Sequence, residues 1–172
     1  MLRSTANAGA VTPDFSADCI APITVAGAGN RLLSVDNIGP RMLELVQGRY
    51  GPEVEICNTG TGGLNLLDHL HRQDLLIVID ACISGREPGE VFVIEPELDE
   101  AEVRRDCSVH QIGPLETLIT GHHLYPDRMP KRILLVLVET EGIDEEGKEA
   151  AGRKVIDILD REIRLWCGLI RD

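Results

Sequence analysis

The stretch "DLLIVIDAC", Asp74–Cys82, decides the fold class. Leu75 to Ile79 is apolar without a break, the pattern of a parallel strand covered on both faces; a strand with one wet face would alternate instead. The run then closes on an acid, Asp80. A buried acid without a partner is costly, so this residue asks for an explanation.

The segments on either side alternate strand and helix. "APITVAG" is a short β-branched run ending in glycine, and "DNIGPRMLELVQGRY" predicts a helix capped by Asp36 or Asn37, with Ile38, Met42, Leu45 and Val46 on one face. "EVEIC" is a second strand, and "NTGTGGLNLLDHLHRQ" a loop running into a second helix. "GEVFVIEP" alternates, as an edge or antiparallel strand does. "VHQIGPLETLITGHH" reads as loop and helix, and "RILLVLVET" as another buried strand. In the last helix Ile156, Leu159, Ile163, Trp166 and Ile170 recur at three- and four-residue spacing. The sum is an α/β fold in three layers: a mostly parallel twisted sheet of about five strands with helices on both faces.

At 172 residues, 43% hydrophobic and 27% charged, the chain is long enough for a substantial core. One α/β domain is expected over 21–172, after a flexible extension over 1–20 that lacks the apolar region of a secretory signal. Five aromatics (Phe15, Tyr50, Phe92, Tyr125, Trp166) supply no stacking platform, and a net charge of −12 argues against nucleic acid as a partner. No apolar run reaches the length of about eighteen residues that would span a bilayer. The five cysteines (Cys19, Cys57, Cys82, Cys107, Cys167) are odd in number and show no CxxC spacing. They fit unpaired thiols in a reducing cytosol, and a cytoplasmic location is expected.

Open parallel sheets bind ligands outside the carboxyl ends of their strands. Asp36 follows the first strand, Asp80 closes the third, and His110 lies in the loop entering the helix before the last strand. Given a suitable strand order, all three share one edge. Two carboxylates and an imidazole suit zinc or nickel by ligand type, although the spacing identifies no metal. Each residue has a plainer role open to it: Asp36 as an N-cap, Asp80 as a hydrogen-bonded structural acid, His110 as a satisfied structural histidine. His69 and His71, two apart, point to different helix faces, while His122 and His123 sit near a helix end where solvation is expected. Cys82 and Cys107 lie close in sequence to Asp80 and His110, but nothing nearby lowers either thiol pKa. A nucleotide loop is disfavoured twice. "GAGNRL" has Leu32 where a dinucleotide fingerprint has its third glycine, and "EICNTG" places no acid at the strand tip. Asp36 itself, at the mouth of a helix, suits a cation better than a phosphate.

In order, "GAGNRLLSVDNIGPR", "GTGGLNLLDHL", "LLIVIDACISGREPGEVFVIEP" and "SVHQIGPLETL" resemble the hydrogenase maturation endopeptidases, from about Ile23 to about Val138 and through the final helix. The resemblance implies an enzyme that removes a C-terminal extension from the large-subunit precursor of a nickel–iron hydrogenase. It implies that Asp36, Asp80 and His110 bind metal and serve catalysis. The nickel would arrive already seated in the substrate, with zinc or cadmium able to take its place in crystals, and water would be the nucleophile. Asn58, Gly60, Thr61 and Gly62, with Gly63, would hydrogen-bond the substrate. Two positions depart from the family pattern: Val35 replaces the first acid of a usual pair, and Asn58 replaces the acid of the glycine-rich loop. An amide is neither acid nor base, so Asn58 and Val35 leave open a non-catalytic, chaperone-like binder of the immature subunit, while a nucleotide-binding α/β protein stays open on fold-level analogy alone.

Overall fold

Strands β1 (Ile23–Ala28), β2 (Val54–Gly60), β3 (Leu75–Cys82), β4 (Val91–Ile94) and β5 (Arg132–Glu139) form one sheet in the order β2-β1-β3-β5-β4. The computed structural model describes residues 21–29, 37–61, 63–98 and 113–169, so the segment 1–20 and Ile170 lie outside the described residues. β3 is central and pairs in parallel with both β1 and β5, while β4 closes the β5 edge antiparallel. That position explains the unbroken apolar run: Leu75 to Ile79 is at most 2% exposed. The α/β class, the mostly parallel sheet and the antiparallel "VFVI" strand are as the sequence patterns predict.

Alternation along the strands divides the core in two. Ile23, Val25, Ile77, Ile79, Val136 and Val138 face helices α1 (Ile38–Val46) and α3 (Glu145–Leu169). Ala26, Cys57, Leu76, Val78, Ile133 and Leu135 face α2 (Pro114–Leu124) and a 3-10 helix, Gly63–His69. No helix among the described residues is long and apolar enough to cross a membrane.

Two glycines set how closely α1 lies on the sheet. A Cβ on Gly39 would stand 2.1 Å from the Ala28 carbonyl oxygen and 2.8 Å from that of Ile79. A Cβ on Gly27 would meet Leu43 Cγ at 2.7 Å and the Gly39 carbonyl carbon at 2.8 Å. The first glycine of "GAGN" is therefore required by helix–strand packing, with no phosphate needed to explain it.

Five local expectations change. β2 runs on through Asn58, Thr59 and Gly60, because β1 continues to offer pairing partners across a register shift at Gly27/Ala28. The second predicted helix is the 3-10 helix just described. In α1, Leu43 is buried and Leu45 is 51% exposed: Leu45 sits at the margin of the apolar arc, over Gly152 of α3. Asn37 occupies the N-cap but makes no side-chain capping bond, and its Oδ1 is buried without a partner. In α3 the buried line is Ala151, Val155, Leu159 and Ile163, with Ile156 and Trp166 packed at its margin.

Candidate functional site at the β1/β3 crevice

The sheet winds outward in both directions from a switch between β1 and β3. β1 leads through α1 to β2 on one side, and β3 leads to β5 on the other. Pairing of β1 with β3 ends at Gly27–Ile79, whereas β3 stays paired with β5 as far as Cys82–Glu139. A crevice therefore opens at the carboxyl ends of the strands, where α/β sheets place their ligands. Asp80 stands at its mouth. Parity with Leu76 and Val78 puts its side chain on the α2 face; the residue is half-buried, and its Oδ1 accepts a hydrogen bond from the Ala81 N–H at 2.9 Å.

The chain around this crevice is held tightly. The amino end of α1 is seated on Ala28 and Ile79 through Gly39, which brings Asn37 to the same rim. On the other face α2 precedes β5, so it runs back toward the sheet's amino edge and its N-cap, Gly113, faces the carboxyl rim. Asp36 and His110 themselves lie outside the described residues, as does Gly62. Among the described residues no group of three His, Cys, Asp or Glu side chains could hold a metal ion.

The tip of β2 forms one flank. Asn58 is exposed, and its Oδ1 accepts the Gly60 N–H at 2.8 Å, closing a tight turn in which Gly60 has φ +67°. A left-handed backbone of this kind favours glycine. Thr59 is buried and donates its hydroxyl to the Gly27 carbonyl at 3.2 Å. Asn65 Nδ2 donates to the Thr59 carbonyl at 2.9 Å, and Gly29 N–H to the Gly60 carbonyl at 3.0 Å. Thr61 is exposed beside them and Gly63 is half-buried. The Gly60 N–H is thus engaged by Asn58 within the turn.

The other flank rests on a residue that the sequence reading passed over. Glu139 closes β5, is fully buried, and lies on the same sheet face as Asp80. Its Oε2 accepts the Ser84 N–H (2.7 Å), the Ser84 hydroxyl (2.7 Å) and the Arg86 N–H (3.2 Å), and its Oε1 accepts the Glu141 N–H (3.2 Å). Burial alone pushes this carboxyl up, but the bonds from Ser84, Glu141 and Arg86 outweigh it and hold the group below the usual carboxylate range. The signal was present in "RILLVLVE": an acid ending an apolar strand, the same feature that singles out Asp80.

The remaining candidates are structural in placement. His71 lies within hydrogen-bond reach of the His69 and Ala21 carbonyls, and His123 of the Ile119 carbonyl. His122 is half-buried beside a depression of about 380 Å³ near the amino end of β5, away from the rim. Burial, with the nearby Glu55 charge, pushes the Cys57 thiol up to about 12, as an inert buried thiol requires. Cys82 is also buried; Cys19 and Cys107 lie outside the described residues.

Comparison with known proteins places this geometry among relatives. The family described as hydrogenase maturation protease matches residues 40–160, a span that contains Asp80 and His110. The hydrogenase 2 maturation protease of Escherichia coli K12 is 34% identical over 125 residues, covering 71% of this chain and 75% of that protein. The hydrogenase expression/formation protein HoxM of Cupriavidus necator is 30% identical over 159 residues, covering 86% and 76%. Among solved structures, the hydrogenase maturating endopeptidase HybD from E. coli superposes with a TM-score of 0.62 at 29% identity, over 81% of this chain and 93% of that one.

Proposed function

Because this chain belongs to the hydrogenase maturation protease family, we propose that it is an endopeptidase that removes the C-terminal extension of a nickel–iron hydrogenase large-subunit precursor. The observation that carries this reading is the position of Asp80: a half-buried carboxylate at the switch-point crevice, oriented by the Ala81 N–H. In the proposal Asp36 and His110 join Asp80 to grip a nickel ion that comes with the substrate. Carboxylate and imidazole are donors that nickel, zinc and cadmium accept. Bound there, the ion would polarise the scissile carbonyl as a Lewis acid.

The chain's own residues do the rest. Asp80 holds one side of the reacting group in place, and the β2 tip, Asn58 with Gly60, Thr61 and Gly62, lies along the substrate backbone. Asn58 is an amide whose oxygen already serves the Gly60 N–H and is neither acid nor base, so its part in the proposal is confined to positioning the substrate.

The test is to incubate the protein with nickel-loaded precursor and to follow the loss of mass at the precursor's carboxyl end. Asp36→Ala, Asp80→Ala and His110→Ala should each abolish processing while thermal unfolding stays cooperative. Full processing by Asp80→Ala would remove the proposed site. Stable binding without mass loss would instead favour the non-catalytic binder. A nucleotide that raises Tm, with no response to nickel or cadmium, would favour the nucleotide-binding alternative.

A further inference from the structure

Between β3 and β4 the chain makes a loop, Ile83 to Glu90, fastened at every turn. The buried Glu139 carboxylate accepts from Ser84 and Arg86. The Glu139 backbone bonds Gly89 and Glu90, and Thr140 N–H donates to the Cys82 carbonyl, all at 2.9 Å. The Arg86 guanidinium lies 4.2 Å from the Phe92 ring centroid and pairs with Glu90 at 2.6 Å. Gly85 and Gly89, both at φ +77°, supply the turns. Yet Ile83, three residues beyond Asp80, is 50% exposed at the head of this loop.

An exposed aliphatic side chain is unremarkable on its own. Its setting is what matters: it is the first residue past β3, the strand that walls the crevice, on a segment whose hydrogen bonds leave it little freedom to lose, which lowers the ordering cost when a chain binds. We propose that the loop headed by Ile83 is a rigid lip that seats the precursor chain beside Asp80. In this proposal Ile83 contacts an apolar side chain next to the cleavage point, and Glu139 is the positioning residue that holds the lip. The inference rests on the endopeptidase reading above and extends it to substrate selection.

Steady-state processing of nickel-loaded precursor by the full chain tests it. Ile83→Asp should raise KM about tenfold or more, the scale of a lost apolar pocket contact, and leave kcat within about twofold. Glu139→Gln should raise KM in the same direction, because an amide cannot accept from all four donors at once. Leu165→Asp is the control: Leu165 is 56% exposed on α3, twenty residues beyond Glu145 and so roughly 30 Å along the helix. It should change neither parameter. An unmoved KM in Ile83→Asp overturns the proposal. So does a loss confined to kcat, or a Glu139→Gln protein that melts earlier with KM unchanged. If the wild-type protein leaves the precursor intact, the endopeptidase reading fails and the inference with it. Normal wild-type processing with an unmoved KM in Ile83→Asp sinks the inference alone.

Discussion

Gly39→Ala sets two physical effects of opposite sign against each other. Inside a helix, replacing glycine with alanine should stabilise by at most about 1 kcal/mol. At this position the new methyl would lie 2.1 Å from the Ala28 oxygen, 2.7 Å from the Ala28 nitrogen and 2.8 Å from the Ile79 oxygen. All three are backbone atoms of adjacent paired strands, so no side chain can swing aside. The shortest contact must lengthen by roughly 1 Å, lifting α1 off the core that Ile38, Met42 and Val46 build. Overpacking costs about 1–3 kcal/mol, and a backbone obstacle places this case at the upper end. The net loss should be about 2 kcal/mol or more, or a Tm drop of about 4–8 °C for a chain of this size. Urea and thermal melts check it beside Gly152→Ala, whose nearest obstacle is the movable Leu45 Cδ1 at 2.9 Å and which should be near neutral. A Gly39→Ala protein as stable as the wild type, or indistinguishable from Gly152→Ala, would refute the argument that this glycine sets the α1–sheet distance.

Asp160 on α3 accepts Arg49 Nε and Nη2 at 2.9 and 2.6 Å and the Tyr50 hydroxyl at 3.0 Å, and the Arg49 bond leads in holding its carboxyl below the usual range. Asp160→Asn should cost about 1–2 kcal/mol at pH 7, the partly exposed Arg49 limiting the loss. Because the folded pKa is the lower one, this contribution is present above the unfolded value of about 3.9 and fades as pH falls through the folded value. The gap between wild type and Asp160→Asn in urea melts should therefore narrow below about pH 4; a constant gap would refute the ion-pair origin. Cys57, with its thiol pushed up to about 12, should resist iodoacetamide at about pH 8 in the folded protein and react in urea. Peptide mass spectrometry reads this, and rapid labelling of the native protein would contradict the burial of that face of β2.

The parts of this protein legible in one dimension are those encoded by local period and by its interruption. The run Leu75–Ile79 announces a strand covered on both faces, and the alternation of "VFVI" announces an edge. Asp80 stands out because a charge closes an apolar run. Glu139 carries the same mark. Its importance was hidden because its donors, Ser84 and Arg86, lie more than fifty residues away along the chain. Leu45 was misplaced for a related reason: period alone locates an arc on a helix, and the neighbours of α1 decide where that arc ends.

The amino-acid order by itself thus determined the α/β class, most of the element types and the acid that closes an apolar strand. Only the folded chain decided that β1 and β3 part at Asp80, that Gly39 lets α1 rest against both, and that Glu139 locks the loop beyond the crevice. The physical reason is range. Whether a residue is buried follows from near neighbours at a fixed period, whereas which elements lie side by side follows from sheet winding and close packing, which no local window contains.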